Sequence, residues 1–510
     1  MCFMSAPQKS WRSAAAAYAD RRAVTLFLLG FSAGVPILLI FSSLSLWLRE
    51  AGVERSTVTM FSWAALAYSF KFVWAPLIDS LPLPLFTRLL GRRRAWLLLA
   101  QAMIIAAICL MAMINPTTET ALVYMALSAV LLGFSSATQD VVIDAYRIEI
   151  AQGDSAMQSV IAATYNAGYR IGMIVAGAGA LFLAAWLGSH EQAYVYRAWQ
   201  QTYLIMAAVM GVGVATTLFT REPDSSRAAT AARPAADNFR LLLLFACAVG
   251  AFVAAFIGFG RLLPQSGGVL AGFLLESLRL LLSVAVAAAA GTLVVKSGLV
   301  AKSLAVNTWV EPVADFFRRY GKSALLLLAL IGLYRISDIV AGVISNVFYQ
   351  DMGFSKEEIA AAVKTFGVIM AIAGGFLGGL LSQRFSLMKM MMDGAVLAAA
   401  TKLMFILLAW GGHDVPFMYL AVGFDNLAAG LAGAVFIAFL SALTSIRFTA
   451  VQYAIFSSLM TLLPKTLGGY SGSIVDKIGY PGFFMFTALL GVPVLILVYW
   501  VDKKIYRQKA

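Results

Sequence analysis

The chain has 510 residues, 61% of them hydrophobic and only 12% charged. A soluble protein of this length would carry about twice that charged fraction, so the composition excludes a soluble domain and points to an all-α polytopic membrane protein. The net charge of +13 does not imply nucleic acid, because the lysines and arginines collect in alternate loops between apolar runs. They form no basic stripe interleaved with aromatic residues.

Apolar runs long enough to cross a bilayer, about 20 residues each, are predicted at 23–48, 58–79, 95–114, 121–146, 159–187, 199–219, 239–261, 269–296, 323–349, 358–382, 387–411, 417–443, 450–472 and 481–501. The first is too long for a signal-peptide core and lacks a clear cleavage site. Fourteen spans return the chain to its starting side. The basic stretches 9–22 and 503–509 place that side in the cytoplasm. Residues 221–237, rich in Ala, Ser, Pro and charge, read as a cytoplasmic linker. In 301–320, Val306, Trp309, Val310, Val313, Phe316, Phe317 and Tyr320 recur at helical spacing. That pattern suits a helix lying on the membrane surface or packing under the bundle.

The spans at 239–261 and 269–296 fall between these two segments and read as an inserted pair. Without them, six spans remain on each side: a first bundle at 1–220, an insert at 221–321 and a second bundle at 322–510. The halves echo one another. Arg49-Glu50-Ala51-Gly52 parallels Gln350-Asp351-Met352-Gly353 after each half's first span, and Ser155-Ala156-Met157-Gln158 parallels Thr449-Ala450-Val451-Gln452 at each fifth span. Repeated halves imply a pseudo-two-fold transporter with its site between them near mid-membrane.

The second span ends at Asp79 and is followed by Gly91-Arg92-Arg93-Arg94. This arrangement resembles the loop signature of the major facilitator superfamily. Asp79, Gly91, Arg92, Arg93 and Arg94 are accordingly expected to latch an inward gate, although arginines alone would also serve topology. Asp140, Asp144 and Arg147 are four and three residues apart and share one helical face. Carboxylates are costly in hydrocarbon, so those retained usually face a bundle interior. Asp140 and Asp144 are therefore expected to handle protons, with Asp144 alternatively paired to Arg147.

The pieces Lys71-Phe72-x-Trp74-x-Pro76-Leu77-x-Asp79, Gly91-Arg92-Arg93-Arg94-x-Trp96, Gln139-Asp140-Val141-Val142-x-Asp144-Ala145, Gly168-Tyr169-Arg170-x-Gly172-Met173, Asn426-Leu427-x-x-Gly430 and Phe448-x-Ala450-x-Gln452 together resemble the AmpG-type muropeptide permeases. The resemblance spans both halves. It departs in the long linker and in Asp425, where Glu is expected before Asn426. It implies a major facilitator fold and proton-coupled import of anhydro-muropeptides, released in cell-wall turnover, across the bacterial inner membrane. Acetyl-coenzyme A transporters are relatives, so another large anionic solute is the alternative.

Within that frame Arg170, near mid-span, suits bidentate capture of a peptide carboxylate or an ion pair with Asp140 or Asp144. Lys71 and Tyr68 share a face and could meet an anionic or sugar group, unless Lys71 snorkels outward. Gln139 is added to the substrate set. Arg335 and Asp338, three apart, read as substrate contacts or an internal pair. Asp425 is a second proton site, Asn426 a sugar contact, Lys364 an attractor of acidic peptide, and Gln452 a substrate contact or interhelical glue. Glu276 and Arg279 read as a local pair away from transport. Cysteines 2, 109 and 247 are isolated and the histidines are only His190 and His413, so no metal or cofactor is expected. No nucleophile–base constellation marks an enzyme, and intramembrane carboxylates in both halves argue against a non-transporting receptor. The expected partners are the muropeptide, protons and lipid, with the chain a monomer.

Overall fold

The computed structural model describes residues 10–54, 57, 61, 68, 70–84, 86–189, 193–224, 234–264 and 269–506. Thirteen of its helices are long and apolar enough to span a bilayer, from Arg21–Glu50 to Ser471–Tyr506. Residues 58–60, 62–67 and 69 of the expected second span lie outside the described residues, and its end is a 3-10 turn at Lys71–Val73 followed by a helix at Ala75–Ser80. His190 and the side chain of Glu276, and with it the expected Glu276–Arg279 pair, also lie outside them.

Local signals start the helices where the chain turns back. The side chains of Asp20, Thr118, Asp154, Ser386 and Asp414 each accept from a backbone N–H in the first turn of the helix they precede, satisfying donors that a helix end leaves open. Pro36 sits inside the first spanning helix and a π-helical turn follows at Leu39–Ser43, as expected where a proline removes a backbone donor. The last span is broken at Gly479 (φ 68°), just before Pro481.

Apolar burial cannot drive one helix onto another in lipid, so close approach of small residues does much of that work. The first helix of the first half crosses the Ser155–Trp186 helix backbone to backbone. A Cβ on Gly30 would lie 2.2 Å from the Tyr165 carbonyl oxygen, and one on Gly168 would lie 1.9 Å from that of Phe27. Gly34 and Gly172 repeat the contact one turn along. The Ser155–Trp186 helix then meets the second half at its Glu357–Leu381 and Val415–Leu443 helices.

The inserted pair, Ala235–Leu262 and Val269–Lys296, packs chiefly on itself and leaves most of its surface exposed. Leu241 and Leu244 are its buried anchors. The segment Lys302–Tyr320 is helical as expected, with a π-helical turn at Val306–Val310. The packing of its apolar face under the bundle holds in part. Phe316 is buried with its ring 5.2 Å from that of Phe456, whereas Val310, Val313 and Phe317 are exposed.

Candidate functional site

At the end of the bundle where Gly91–Arg94 lies, the three arginines do three different things. Arg93 is fully buried and donates to Asp79 at 2.7 Å and to Glu149 at 2.6 Å. Arg92 donates to the Asp79 carbonyl at 2.7 Å. Arg94 caps the end of the Tyr196–Phe219 helix through the carbonyls of Thr217 and Leu218. Gly91 is required here: its φ is +90°, and a Cβ would lie 2.3 Å from Glu222 Cγ. The Glu222 carboxylate thereby reaches the backbone N–H groups of Arg93 and Arg94, at 2.8 and 3.1 Å. The cluster grips the second half. Asp79 accepts from the Val451 N–H at 3.0 Å, Glu149 accepts from the Thr449 hydroxyl at 2.8 Å, and Arg147 lies 4.9 Å from the Tyr453 ring centre. Tyr18 adds a further crossing contact by donating to the Phe376 carbonyl at 2.5 Å. This end of the seam between the halves is closed.

Above that cluster the first half buries a second set of charges. Asp144 lies 3.2 Å from Arg147 and 3.7 Å from Lys71. Lys71 is itself buried and does not snorkel. Asp140 meets the Tyr165 hydroxyl at 3.4 Å, and Tyr68 donates to Ser136 at 2.6 Å. Gln139 is wholly buried, and its side-chain amide finds no hydrogen-bond partner among the described residues.

Between the halves lies a cavity of about 160 Å³. Asn166 and Arg170 reach it from the first half, and Arg335, Phe436 and Met460 from the second. Small residues such as Ala163, Gly375, Gly430 and Gly433 open the space. Arg170 makes no ion pair with Asp140 or Asp144 among the described residues. Arg335 stands 4.0 Å from Asp338. Asp338 is also 3.0 Å from Lys402, which bonds Asp425 as well. Asp425 accepts from the Thr401 hydroxyl at 2.8 Å.

A family model described as Acetyl-coenzyme A transporter 1 matches residues 23–210. The Anhydromuropeptide permease of Escherichia coli (strain K12) is 30% identical over 479 residues, which are 94% of this chain and 79% of that protein. The chain belongs to the anhydromuropeptide permease family. A "Putative transporter AmpG 4" of Rickettsia conorii is 28% identical over 96% of this chain and 98% of its own length. In fold the permease is similar to a double-tryptophan variant of XylE, with a TM-score of 0.61 at 10% identity over 94% of both chains. It is also similar to FucP, a major facilitator superfamily transporter, with a TM-score of 0.57 at 12% identity over 95% of this chain and 99% of that one. The fold is that of the major facilitator superfamily, and the permease is a multi-pass membrane transporter, not an enzyme.

Of the expected substrate residues, the described cavity brings together Arg170 and Arg335. Gln452 is elsewhere. Its amide donates to the Pro312 carbonyl and to Asp315, and accepts from Arg319 and from the Ser445 N–H. A side chain so engaged fixes the surface helix to the second half, as interhelical glue, the second of its two expected roles. Lys364 is exposed on the π-helical turn Ala360–Phe366, and Asn426 donates to the Val422 carbonyl at 2.9 Å; neither lines the cavity. Sequence reasoning missed Asn166, Glu149, Glu222 and Lys402. Asn166 and Lys402 were visible as polar residues in mid-span. Glu149 stood two residues after Arg147, and Glu222 was absorbed into the linker.

Proposed function

We propose that this permease imports anhydro-muropeptides across the bacterial inner membrane, driven by protons moving the same way, with both termini in the cytoplasm and a single chain as the working unit. The observation that carries this reading is that Arg170 and Arg335, contributed by opposite halves, line one cavity. Two guanidinium groups across a seam suit the carboxylates of a stem peptide, which arginine binds bidentately. Ligand pockets commonly measure about 300–1,000 Å³. A cavity of 160 Å³ holds a carboxylate-bearing fragment, and a whole sugar-peptide requires the halves to part.

Asp79, Gly91 and the three arginines serve as the latch of the cytoplasmic gate. Among the proton candidates Asp140 is favoured over Asp144, because it meets a tyrosine hydroxyl where Asp144 is held by two cations. The test is uptake of labelled anhydro-muropeptide into right-side-out and inverted vesicles, with and without an imposed pH gradient. Accumulation should follow the gradient in one orientation and disappear in Asp140→Asn. Gradient-independent uptake overturns proton coupling, and absence of uptake overturns the substrate.

The match of residues 23–210 to the acetyl-coenzyme A transporter family favours a second reading, transport of that larger anion. The same vesicles distinguish the two: excess unlabelled acetyl-coenzyme A should leave muropeptide uptake unchanged.

A further inference from the structure

The Leu387–Gly411 helix carries a lysine that neither the gate nor the cavity uses. Lys402 lies in mid-helix and is 1% exposed. A lysine sealed in a membrane span needs counter-charge, and Lys402 has two. Its ammonium lies 3.0 Å from Asp338 Oδ1 on one neighbouring helix and bonds Asp425 Oδ1 on another. Asp338 in turn is 4.0 Å from Arg335, whose side chain lines the cavity. Asp425 to Arg335 is thus one unbroken run of charges. Its ends differ from its middle: the side chain of Asp425 keeps 22% of its exposure, so a proton can reach it, whereas Lys402 is closed off. Tyr349 faces Asp425, and Tyr334 faces both Asp338 and Asp393. The Tyr334 hydroxyl is committed to the Met391 carbonyl at 2.9 Å, and Asp393 is exposed.

The run holds two cations and two carboxylates and is neutral as drawn. A proton landing on Asp425 removes one negative charge. Lys402 is then left with Asp338 alone and draws that carboxylate to itself. The Arg335–Asp338 pair is already the longest in the run and gives way first. Arg335 is released toward the cavity, and the net +1 is discharged by a bound anion. We propose that Lys402 is the positioning residue that couples protonation of Asp425 to anion binding at Arg335. This rests on the reading of the permease as a proton-driven carrier of an anionic solute.

By reciprocity, a ligand that needs Asp425 protonated must itself promote that protonation. With one proton taken up on binding, affinity should fall by about tenfold per pH unit. The experiment is equilibrium binding of labelled anhydro-muropeptide to the full-length permease in nanodiscs between about pH 5.5 and 8. The wild type should show the slope. Asp425→Asn, which copies the protonated acid, should bind without it, and Lys402→Met should also lose the slope. A structural role for Lys402 alone would lower the amount of folded protein but leave the slope in the surviving fraction. If Lys402→Met does not fold, Asp425→Asn decides. The wild-type slope persisting in either variant overturns the coupling while leaving the carrier reading intact. Failure of the wild type to bind muropeptide overturns both.

Discussion

The gate end and the mid-membrane cavity both bury arginines, and they treat them in opposite ways. At the gate end Arg93 faces two carboxylates at hydrogen-bond distance, and Glu222 takes the backbone donors beside it. In the cavity Arg170 has no acidic partner among the described residues, and Arg335 has a loose one at 4.0 Å. A satisfied buried network rigidifies what it joins, whereas a guanidinium held without its anion is a binding site waiting for one. In the proposed function the first region holds a conformation and the second recognises a ligand.

The comparison breaks most severely at Arg93. Arg93→Ala leaves buried Asp79 without its cation and Glu149 with only Arg92 at 3.7 Å, a loss of about 3–5 kcal/mol. The seam at that end should open. A cysteine placed at Ala450, which is buried beside the latch, should change from protected to reactive toward a membrane-impermeant thiol reagent, and uptake should be lost. Continued protection of that cysteine would separate the network from gating.

Next in size is Arg170→Lys. Losing one arm of a charge-assisted fork removes about 1.5–3 kcal/mol, or roughly ten- to a hundredfold in affinity. Muropeptide binding should weaken by that factor while the cysteine at Ala450 keeps its wild-type protection. If both change together, the two regions are not separable in the way drawn here.

Thr449→Val sharpens the contrast. It deletes one hydrogen bond to the Glu149 carboxylate and leaves every ion pair in place. The expected cost is about 1.5 kcal/mol, read as a modest rise in the labelling rate at Ala450→Cys with substrate affinity unchanged. A loss as large as that of Arg93→Ala would mean that the hydroxyl, not the charge cluster, is the main tie.

The smallest effect is expected at the inserted pair. Replacing it with a flexible linker from Asp237 to Lys302 removes the anchors Leu241 and Leu244 but no residue of the gate or cavity. Melting temperature should fall and the ranking of competing muropeptides should not. Crosslinking of a photoreactive muropeptide mainly to residues 239–296 would overturn this.

The spans, and the placing of Asp79 beside Gly91–Arg94, were legible because each is written locally. Apolar length, loop charge and Asp79 with Gly91–Arg94 can be read without knowing which helices touch. Partnership was less legible. Arg170 could be placed near mid-span from helix rise, but its alternative pairing with Asp140 or Asp144 depended on helix rotation, which the apolar pattern of a fully hydrophobic helix does not encode. Lys402 escaped notice because a lone lysine in Thr401-Lys402-Leu403 gives no sign that two aspartates from other helices converge on it. The partners of Gln452 were hidden for the same reason: Asp315 and Arg319 lie on the surface helix, more than 130 positions away.

The latch also bears on how the chain is made. Asp79, Arg93 and Glu149 all belong to the first 150 residues, whereas the groups that join them from the second half, the Thr449 hydroxyl and the Val451 N–H, are synthesised some 300 positions later and carry no charge. The first bundle can therefore neutralise its own ions in the bilayer before the second exists, and the second can dock without stranding any. On this account the two bundles, expressed as separate polypeptides, should each insert and then find one another.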